Sequence, residues 1–327
     1  MIEGAFRYGG SFDTSGLSKS NGNKAMKNHK IQTGVVLMLT LLVAVPALIA
    51  QNPNNSRFGN GMRMPLSPVP TSGEPVAPFL EGWYANEDGT YSLSFGFFNL
   101  NSQQVLDIPI GPDNFIEPAE FNGKQPTHFT SRRARRDRGV FHVTVPASYA
   151  DGQQRVTWTI TANGKTLSIP ARVGYSPLQL DYGPRAMGSL PPMASFSASG
   201  AEGQHIQGIW SEPRVATVGV PMEIDIWMRE VSERASFDER NANIRPAVTW
   251  IKYQGPAGEV TFDPGRISLD EKEGQATTSV TFTVPGEYVL RGRVDNFGAN
   301  DSTPGDQCCW TNAYVAVTVT AGEPDRD

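Results

Sequence analysis

Five arginines crowd one stretch of the chain, residues 131–138, which reads Ser-Arg-Arg-Ala-Arg-Arg-Asp-Arg. Guanidinium groups bind phosphate, sulfate and carboxylate through paired hydrogen bonds. The run predicts either an anion-binding surface or a solvated loop between strands, and the loop is favoured because Gly139 and an alternating strand follow directly. The anion-binding candidates are Arg132, Arg133, Arg135 and Arg136.

Aromatic residues at the start of the first ordered segment could contact a ligand. Trp83 and Tyr84 are adjacent, so on a strand they point to opposite faces, and one ring is a candidate for exposure. Aromatic rings with nearby amides suit carbohydrate binding. His128 is a further ligand-contact candidate, because it follows the polar stretch Gln-Pro-Thr and lies close to the arginine run.

Acidic loops raise the question of a cation. Calcium takes carboxylate and amide oxygens from flexible loops, and calcium is the only cofactor that the sequence suggests. Neither candidate set matches an EF-hand, and a solvated acidic loop is the alternative for both. The first candidate set is Asp295, Asn300, Asp301 and Asp306, and the second is Asp107, Asp113, Asn114 and Glu117.

The two cysteines of the chain, Cys308 and Cys309, are neighbours in sequence. Three interpretations stay open: a disulfide between them, two reduced thiols, or a bond to another chain. Adjacent Cα atoms about 3.8 Å apart are closer than the roughly 4.4–6.8 Å usual for a disulfide. An oxidising compartment would favour pairing.

A catalytic constellation is missing from the sequence. Nucleophilic catalysis needs a Ser or Cys held by a base, yet His128, His142 and His205 lie in no recognisable context and no G-x-S-x-G occurs. Residues 191–327 hold 11 basic and 20 acidic residues, a net charge of −9. Such a charge would repel a phosphate backbone, so we expect neither catalysis nor nucleic-acid binding.

An uncharged run of 17 residues, 34–50, follows Lys24, Lys27 and Lys30. A basic region, a short apolar core and small residues at its end predict a signal peptide over residues 1–50, with Met26 as an alternative start. The run is shorter than the roughly 20 residues of a spanning helix and contains Pro46, so no membrane span is expected after cleavage. We expect an exported protein that is periplasmic, displayed on the cell surface or extracellular.

The sequence after residue 50 predicts two β domains. Residues 51–80 are rich in Asn, Gly, Ser and Pro and predict a disordered linker. Residues 90–97 alternate, so that Tyr91, Leu93, Phe95 and Phe97 share one strand face. Alternating runs predict a first sandwich over 81–175, a Pro/Gly/Ser-rich linker over 176–211, a second sandwich of about seven strands over 212–321, and a tail over 322–327. The predicted fold class is therefore all-β, with two antiparallel, immunoglobulin-like β-sandwiches.

Both halves resemble known bacterial sequences. In the second, Val248-Thr249-Trp250, Gly255-Pro256, Val260-Thr261-Phe262 and the hairpin over residues 284–291 resemble the immunoglobulin-like and polycystic-kidney-disease-like repeats of bacterial surface proteins. That resemblance implies a spacer or binding module without catalytic residues. The first half resembles a domain of uncharacterised exported bacterial proteins, through Glu81-Gly82-Trp83-Tyr84, Phe95-Gly96-Phe97 and the segments 107–114 and 125–129.

The sequence thus predicts an exported, non-enzymatic protein for adhesion, surface display or assembly with other exported proteins. Its expected partners are those proteins or further copies of itself, with glycans as a further candidate. The alternatives are a carbohydrate- or anion-binding module and an accessory subunit of a secreted or periplasmic enzyme.

Overall fold

The computed structural model describes residues 68–131, 136–234, 243–305 and 308–322. Residues Pro65–Asp327 form one compact unit. The predicted leader and the first part of the predicted linker lie outside the described residues, and both stay predictions. Among the residues that the structure describes, no helix has the length and apolar character needed to cross a membrane.

The first sandwich packs two three-stranded antiparallel sheets, β1-β2-β6 and β4-β7-β8, with a small β3-β5 sheet beside them. Alternating apolar residues fill the space between the sheets: the rings of Phe95, Phe141 and Trp158 lie 5.0–6.2 Å apart. Trp158 is fully buried, as its position on an alternating strand predicts. The strands are β1 (Val76–Ala85), β2 (Tyr91–Asn99), β3 (Leu106–Asp107), β4 (Asn114–Glu117), β5 (His128–Phe129), β6 (Asp137–Val145), β7 (Val156–Ala162) and β8 (Lys165–Ala171).

The second sandwich packs a four-stranded sheet, β14-β16-β12-β9, on a six-stranded sheet, β10-β18-β17-β13-β15, in which β11 also pairs with β18. Ile224, Ile226 and Phe282 face Trp250 and Leu290 in its core. The strands are β9 (Met193–Ser195), β10 (Ile209–Trp210), β11 (Arg214–Thr217), β12 (Met222–Arg229), β13 (Ala247–Gln254), β14 (Val260–Asp263), β15 (Arg266–Ser268), β16 (Glu273–Phe282), β17 (Gly286–Asp295) and β18 (Trp310–Thr320).

The all-β prediction is confirmed. Asn163-Gly164 is a turn that joins β7 to β8 with positive φ at both residues (50° and 72°), as a two-residue hairpin of this kind requires. The interval predicted as a linker, 176–211, contains β9 and β10, both of which pair with strands of the second sandwich. The predicted domain boundaries themselves stay predictions.

The two sandwiches meet at the outer face of the six-stranded sheet. Tyr253 and Tyr314 on that face are buried in the core cluster of the first sandwich. The Tyr314 hydroxyl donates to Val140 O (3.0 Å), and Thr127 N donates to Tyr253 O (2.9 Å). Burial raises the pKa of Tyr314 to about 12. The shared core and these bonds join both sandwiches in one folded body.

Candidate functional site

Trp83 and Tyr84 are both buried, each about 7% exposed. The indole N–H of Trp83 donates to Tyr175 O (3.0 Å), and the Tyr84 ring stacks on Tyr182 with 4.5 Å between centroids. The expectation that one of the two rings is exposed is wrong, because the segment 175–182 contacts both. Neither ring offers an exposed face for stacking on a sugar. A carbohydrate-binding role for the pair stays a prediction.

His128 belongs to a cluster of three charged or titratable side chains. Its Nδ1 lies 2.8 Å from Asp107 Oδ1, and the ammonium of Lys252 lies 2.9 Å from the same oxygen. Lys252 also donates to the carbonyls of Pro256 (2.6 Å) and Gly258 (3.1 Å). Burial lowers the pKa of His128, although the hydrogen bond with Asp107 opposes that effect. The cluster ties the small β3-β5 sheet to β13.

The described part of the arginine run contacts the first sandwich. The Arg136 guanidinium lies 5.2 Å from the centroid of the Phe79 ring. Arg138 donates to Glu81 Oε2 at 2.7 Å. Arg132, Arg133 and Arg135 lie outside the described residues, so the anion-binding hypothesis stays a prediction.

The predicted calcium ligands have other partners where the structure describes them. Asp295 is buried and accepts two hydrogen bonds from Arg266, both 2.9 Å. Asp301 accepts from the Ser189 hydroxyl (2.6 Å) and the Met187 amide (2.7 Å). Burial acts to raise the pKa of Asp301, but these hydrogen bonds lower it below its usual value.

A calcium site stays a prediction. Asp306 lies outside the described residues, and Asn300 lies between Asp295 and Asp301 in the sequence. In the described ranges, no group of three or more His, Cys, Asp or Glu side chains is arranged to hold a metal ion. In the second candidate set, Asn114 donates to the carbonyls of Ile108 and Pro126 and accepts from Trp158.

Cys308 and Cys309 form a disulfide, with their Cα atoms 3.0 Å apart across a cis peptide bond. The 3.8 Å spacing of adjacent Cα atoms belongs to a trans peptide bond and does not apply to this pair. Cys308 also lines a cavity of about 110 Å³, together with Tyr84, His205 and Trp310.

A larger groove of about 680 Å³ lies where β9 ends beside β12. Its walls are the turn after β9, with Ser197 and Gly200, and the outward side chains of Trp227 and Arg229. Arg229 Nη2 lies 2.7 Å from Glu202 Oε2, and this ion pair closes one side. The groove could not be predicted from the sequence, since the turn that completes it belongs to the predicted linker.

Among the described strands, β12 has a neighbour on only one edge beyond that groove. The strand pairs with β16 along its whole length, from Met222 to Arg229, but with β9 only from Trp227 to Arg229. None of the described strands pairs with residues 222–226 on the side away from β16. An uncovered strand edge is a template for pairing with another chain.

Hydrogen bonds at β9 show which backbone groups reach this edge. Ala194 exchanges both of its backbone hydrogen bonds with Gly203 (3.0 and 2.8 Å), so its N–H and C=O point away from β12. Backbone groups alternate in direction along a strand, so the neighbouring Ser195 points toward Trp227, its partner in β12.

The same alternation along β12 directs the N–H and C=O groups of Glu223 and Asp225 to the open edge. Ile224 and Ile226 instead direct theirs toward β16. Glu230 lies four residues after Ile226, so its backbone groups should also point toward β16. Its amide does donate to Lys272 O on that side. Residues 222–226 therefore direct two pairs of backbone donors and acceptors to an edge that no described strand covers.

Comparisons with known proteins concern the fold. No family model matches the chain, and no curated protein matches it. Among solved structures, the PKD domain from KIAA 1837 protein is 17% identical, with a TM-score of 0.22 and coverage of 40% of this chain and 99% of that one. The D00-D0 domain of intimin is 14% identical, with a TM-score of 0.23 and coverage of 75% and 99%.

The Dpr2 Ig1-Ig2 structure, solved in complex with DIP-Theta, is 10% identical, with a TM-score of 0.21 and coverage of 75% and 100%. PKD and immunoglobulin-like domains are thus among the structures similar to this chain. At these values the similarities carry no argument about function. The resemblance predicted for the first half finds no support in the comparisons and stays a prediction.

Proposed function

We propose that this chain is an exported, non-enzymatic interaction protein that assembles with other exported proteins by pairing strands. The observation that carries the proposal is the open edge of β12, where Glu223 and Asp225 direct backbone donors and acceptors outward. Strand addition at a sheet edge is a common mode of recognition between chains.

The junction between the sandwiches also supports the proposal. Tyr253 and Tyr314 of the second sandwich are buried in the core of the first, so the β12 edge is fixed on a rigid body. A preorganised edge loses less conformational entropy on binding than a mobile one. Such a body suits adhesion or assembly.

Fractionation of the native cells, followed by lysine-reactive crosslinking and mass spectrometry, tests this function. We expect the protein in an exported fraction, with crosslinks to a small set of defined exported proteins or to further copies of itself. A cytoplasmic location would contradict the proposal, as would a monomer without crosslinks at its native concentration. This test does not depend on which surface of the chain is used.

A further inference from the structure

We infer that the open edge of β12 binds an extended segment of a partner protein in which every second residue is Lys or Arg. This inference rests on the proposed function and specifies the partner's chemistry. The segment would add to β12 in antiparallel orientation, in line with β9 and beyond its end. It would thereby extend the four-stranded sheet along residues 222–226.

The direction of the backbone groups sets the register of such a segment. Residues opposite Glu223 and Asp225 would exchange backbone hydrogen bonds with β12, whereas a residue opposite Ile224 would not. Paired residues in antiparallel strands share a face. The side chains of the partner residues opposite Glu223 and Asp225 would therefore lie on the outer face of the sheet. The residue opposite Ile224 would point inward, toward the edge of the core.

The side chains on each face set the composition. Ile224 and Ile226 are fully buried, so the inward positions of the added segment suit apolar residues. The outer face of β12 carries the carboxylates of Glu223 and Asp225. Arg229, the basic residue on that face, is already paired with Glu202. Cationic residues opposite Glu223 and Asp225 complement this charge.

Charge also argues against a second copy of this chain at the edge. Two β12 edges paired about a twofold axis at Ile224 would place Glu223 of each chain opposite Asp225 of the other. Like charges directly opposite one another destabilise strand pairing. The acidic pair therefore disfavours self-pairing at this edge and favours a basic segment from a different protein.

Direct binding of synthetic peptides to the full chain tests the inference. The probe is acetyl-Val-Lys-Val-Lys-Val-amide, and the control replaces both lysines with glutamates. Calorimetric titration at low salt should show at least about tenfold weaker binding of the glutamate peptide, with the difference shrinking as salt rises. Equal binding of the two peptides would overturn the charge argument.

Backbone methylation of the probe tests strand addition itself. Methylation of the two lysine amides should abolish binding, because those amides would donate to β12. Methylation of the central valine amide, which would point away from β12, should leave the affinity within about threefold of the parent. If the lysine-methylated peptide binds as well as the parent, the edge does not bind by strand addition.

Substitutions in β12 separate the backbone from the charge. Asp225→Pro removes one outward amide together with the Asp225 carboxylate, at an edge where proline is tolerated. It should abolish binding while circular dichroism shows a folded protein, and the loss of charge alone is measured in the double variant. The double variant Glu223→Gln, Asp225→Asn removes both carboxylates but keeps the backbone. It should therefore bind the lysine and glutamate peptides equally, and methylation of the lysine amides should still abolish binding. The methylated peptides test the wild-type chain even if Asp225→Pro does not fold.

Three outcomes distinguish this inference from the proposed function. If crosslinking finds exported partners but Asp225→Pro retains all of them, the inference fails and the assembly function stands. If sedimentation shows a wild-type dimer that Asp225→Pro dissociates, the occupant is a second copy and the inference is overturned. Peptide binding without any crosslinked partner in cells would support the edge chemistry and contradict the assembly function.

Discussion

At the scale of single residues, Lys252 shows how a buried charge can stabilise the contact between distant segments. Its side chain is about 3% exposed and its ammonium group has three oxygen partners, Asp107 Oδ1 and the carbonyls of Pro256 and Gly258. Lys252→Met should lower the free energy of unfolding by about 2–4 kcal/mol, because it removes the ammonium group from all three oxygens and leaves Asp107 with His128 as its partner. Urea denaturation measures the change.

A matched control comes from a more exposed ion pair in the other sandwich. Lys165 lies 3.0 Å from Glu74 and is 46% exposed, so Lys165→Met should change stability by less than about 1 kcal/mol. Equal effects of the two substitutions would show that the buried cluster does not stabilise the fold.

Two partly buried histidines should make the free energy of unfolding depend on pH. Burial lowers the pKa of His142 and of His205 from 6.5 to about 4. Between these values the unfolded chain binds more protons than the folded one, so the free energy of unfolding falls as the pH is lowered from 6.5 to 4. With about 1.4 kcal/mol per pKa unit, and allowing for partial exposure, the two groups together contribute on the order of 3 kcal/mol.

Thermal unfolding between pH 7.5 and 4 measures this dependence. The double variant His142→Gln, His205→Gln should show a shallower fall in melting temperature over that range, whatever its stability at pH 7.5. An unchanged slope in the double variant would contradict the assignment of the fall to these two side chains.

The residue scale is also where the sequence predicted least about the site. His128 and Asp107 were both candidates, but Lys252 lies 145 positions from Asp107, so nothing local relates them. Burial of Trp83 and Tyr84 depends on a segment more than 90 residues later. Strand alternation predicts the face on which a residue lies, but it does not predict what covers that face.

At the scale of elements, the alternation of apolar and polar residues predicts long strands well and short strands poorly. Residues 222–228 show the alternation typical of a strand and lie in β12, because Ile224, Ile226 and Met228 recur at every second position. The strands β9 and β10 have three and two residues, too few for a period to be visible in a Pro- and Gly-rich interval. The open edge of β12 therefore could not be predicted, since it depends on where β9 ends.

Gly139 in β6 illustrates how closely two elements approach. Its φ is +49°, and an added Cβ would lie 2.5 Å from Cζ2 of Trp310. Its carbonyl accepts hydrogen bonds from Asn312 (3.1 Å) and Arg291 (3.2 Å). Gly139→Ala should destabilise the protein by about 3 kcal/mol or more, from strain at positive φ and displacement of the indole. Chemical denaturation measures this loss.

Gly164 provides the control for that substitution. It also has positive φ, +72°, but an added Cβ would meet nothing within 4 Å. Gly164→Ala should therefore cost only the conformational strain, about 1–2 kcal/mol. Equal losses at the two positions would show that contact with Trp310 is unimportant.

At the scale of the whole molecule, the junction predicts that both sandwiches unfold together. Arg291 is buried there, about 3% exposed, and donates to Asn312 Oδ1 (2.9 Å) and to Gly139 O in the other sandwich (3.2 Å). Domains that share a core and buried hydrogen bonds should unfold in one cooperative transition. Calorimetry of the wild-type chain should show a single peak with equal calorimetric and van't Hoff enthalpies.

Arg291→Met should weaken this coupling, since it removes two buried hydrogen bonds at the junction and leaves their acceptors with fewer donors. We expect a lower melting temperature and a broadened or divided transition. Arg229→Met, which removes an exposed ion pair at the groove of the second sandwich, should keep a single sharp peak. Two transitions in the wild-type chain would show that the sandwiches unfold independently, in which case the junction would not hold the β12 edge on one rigid body.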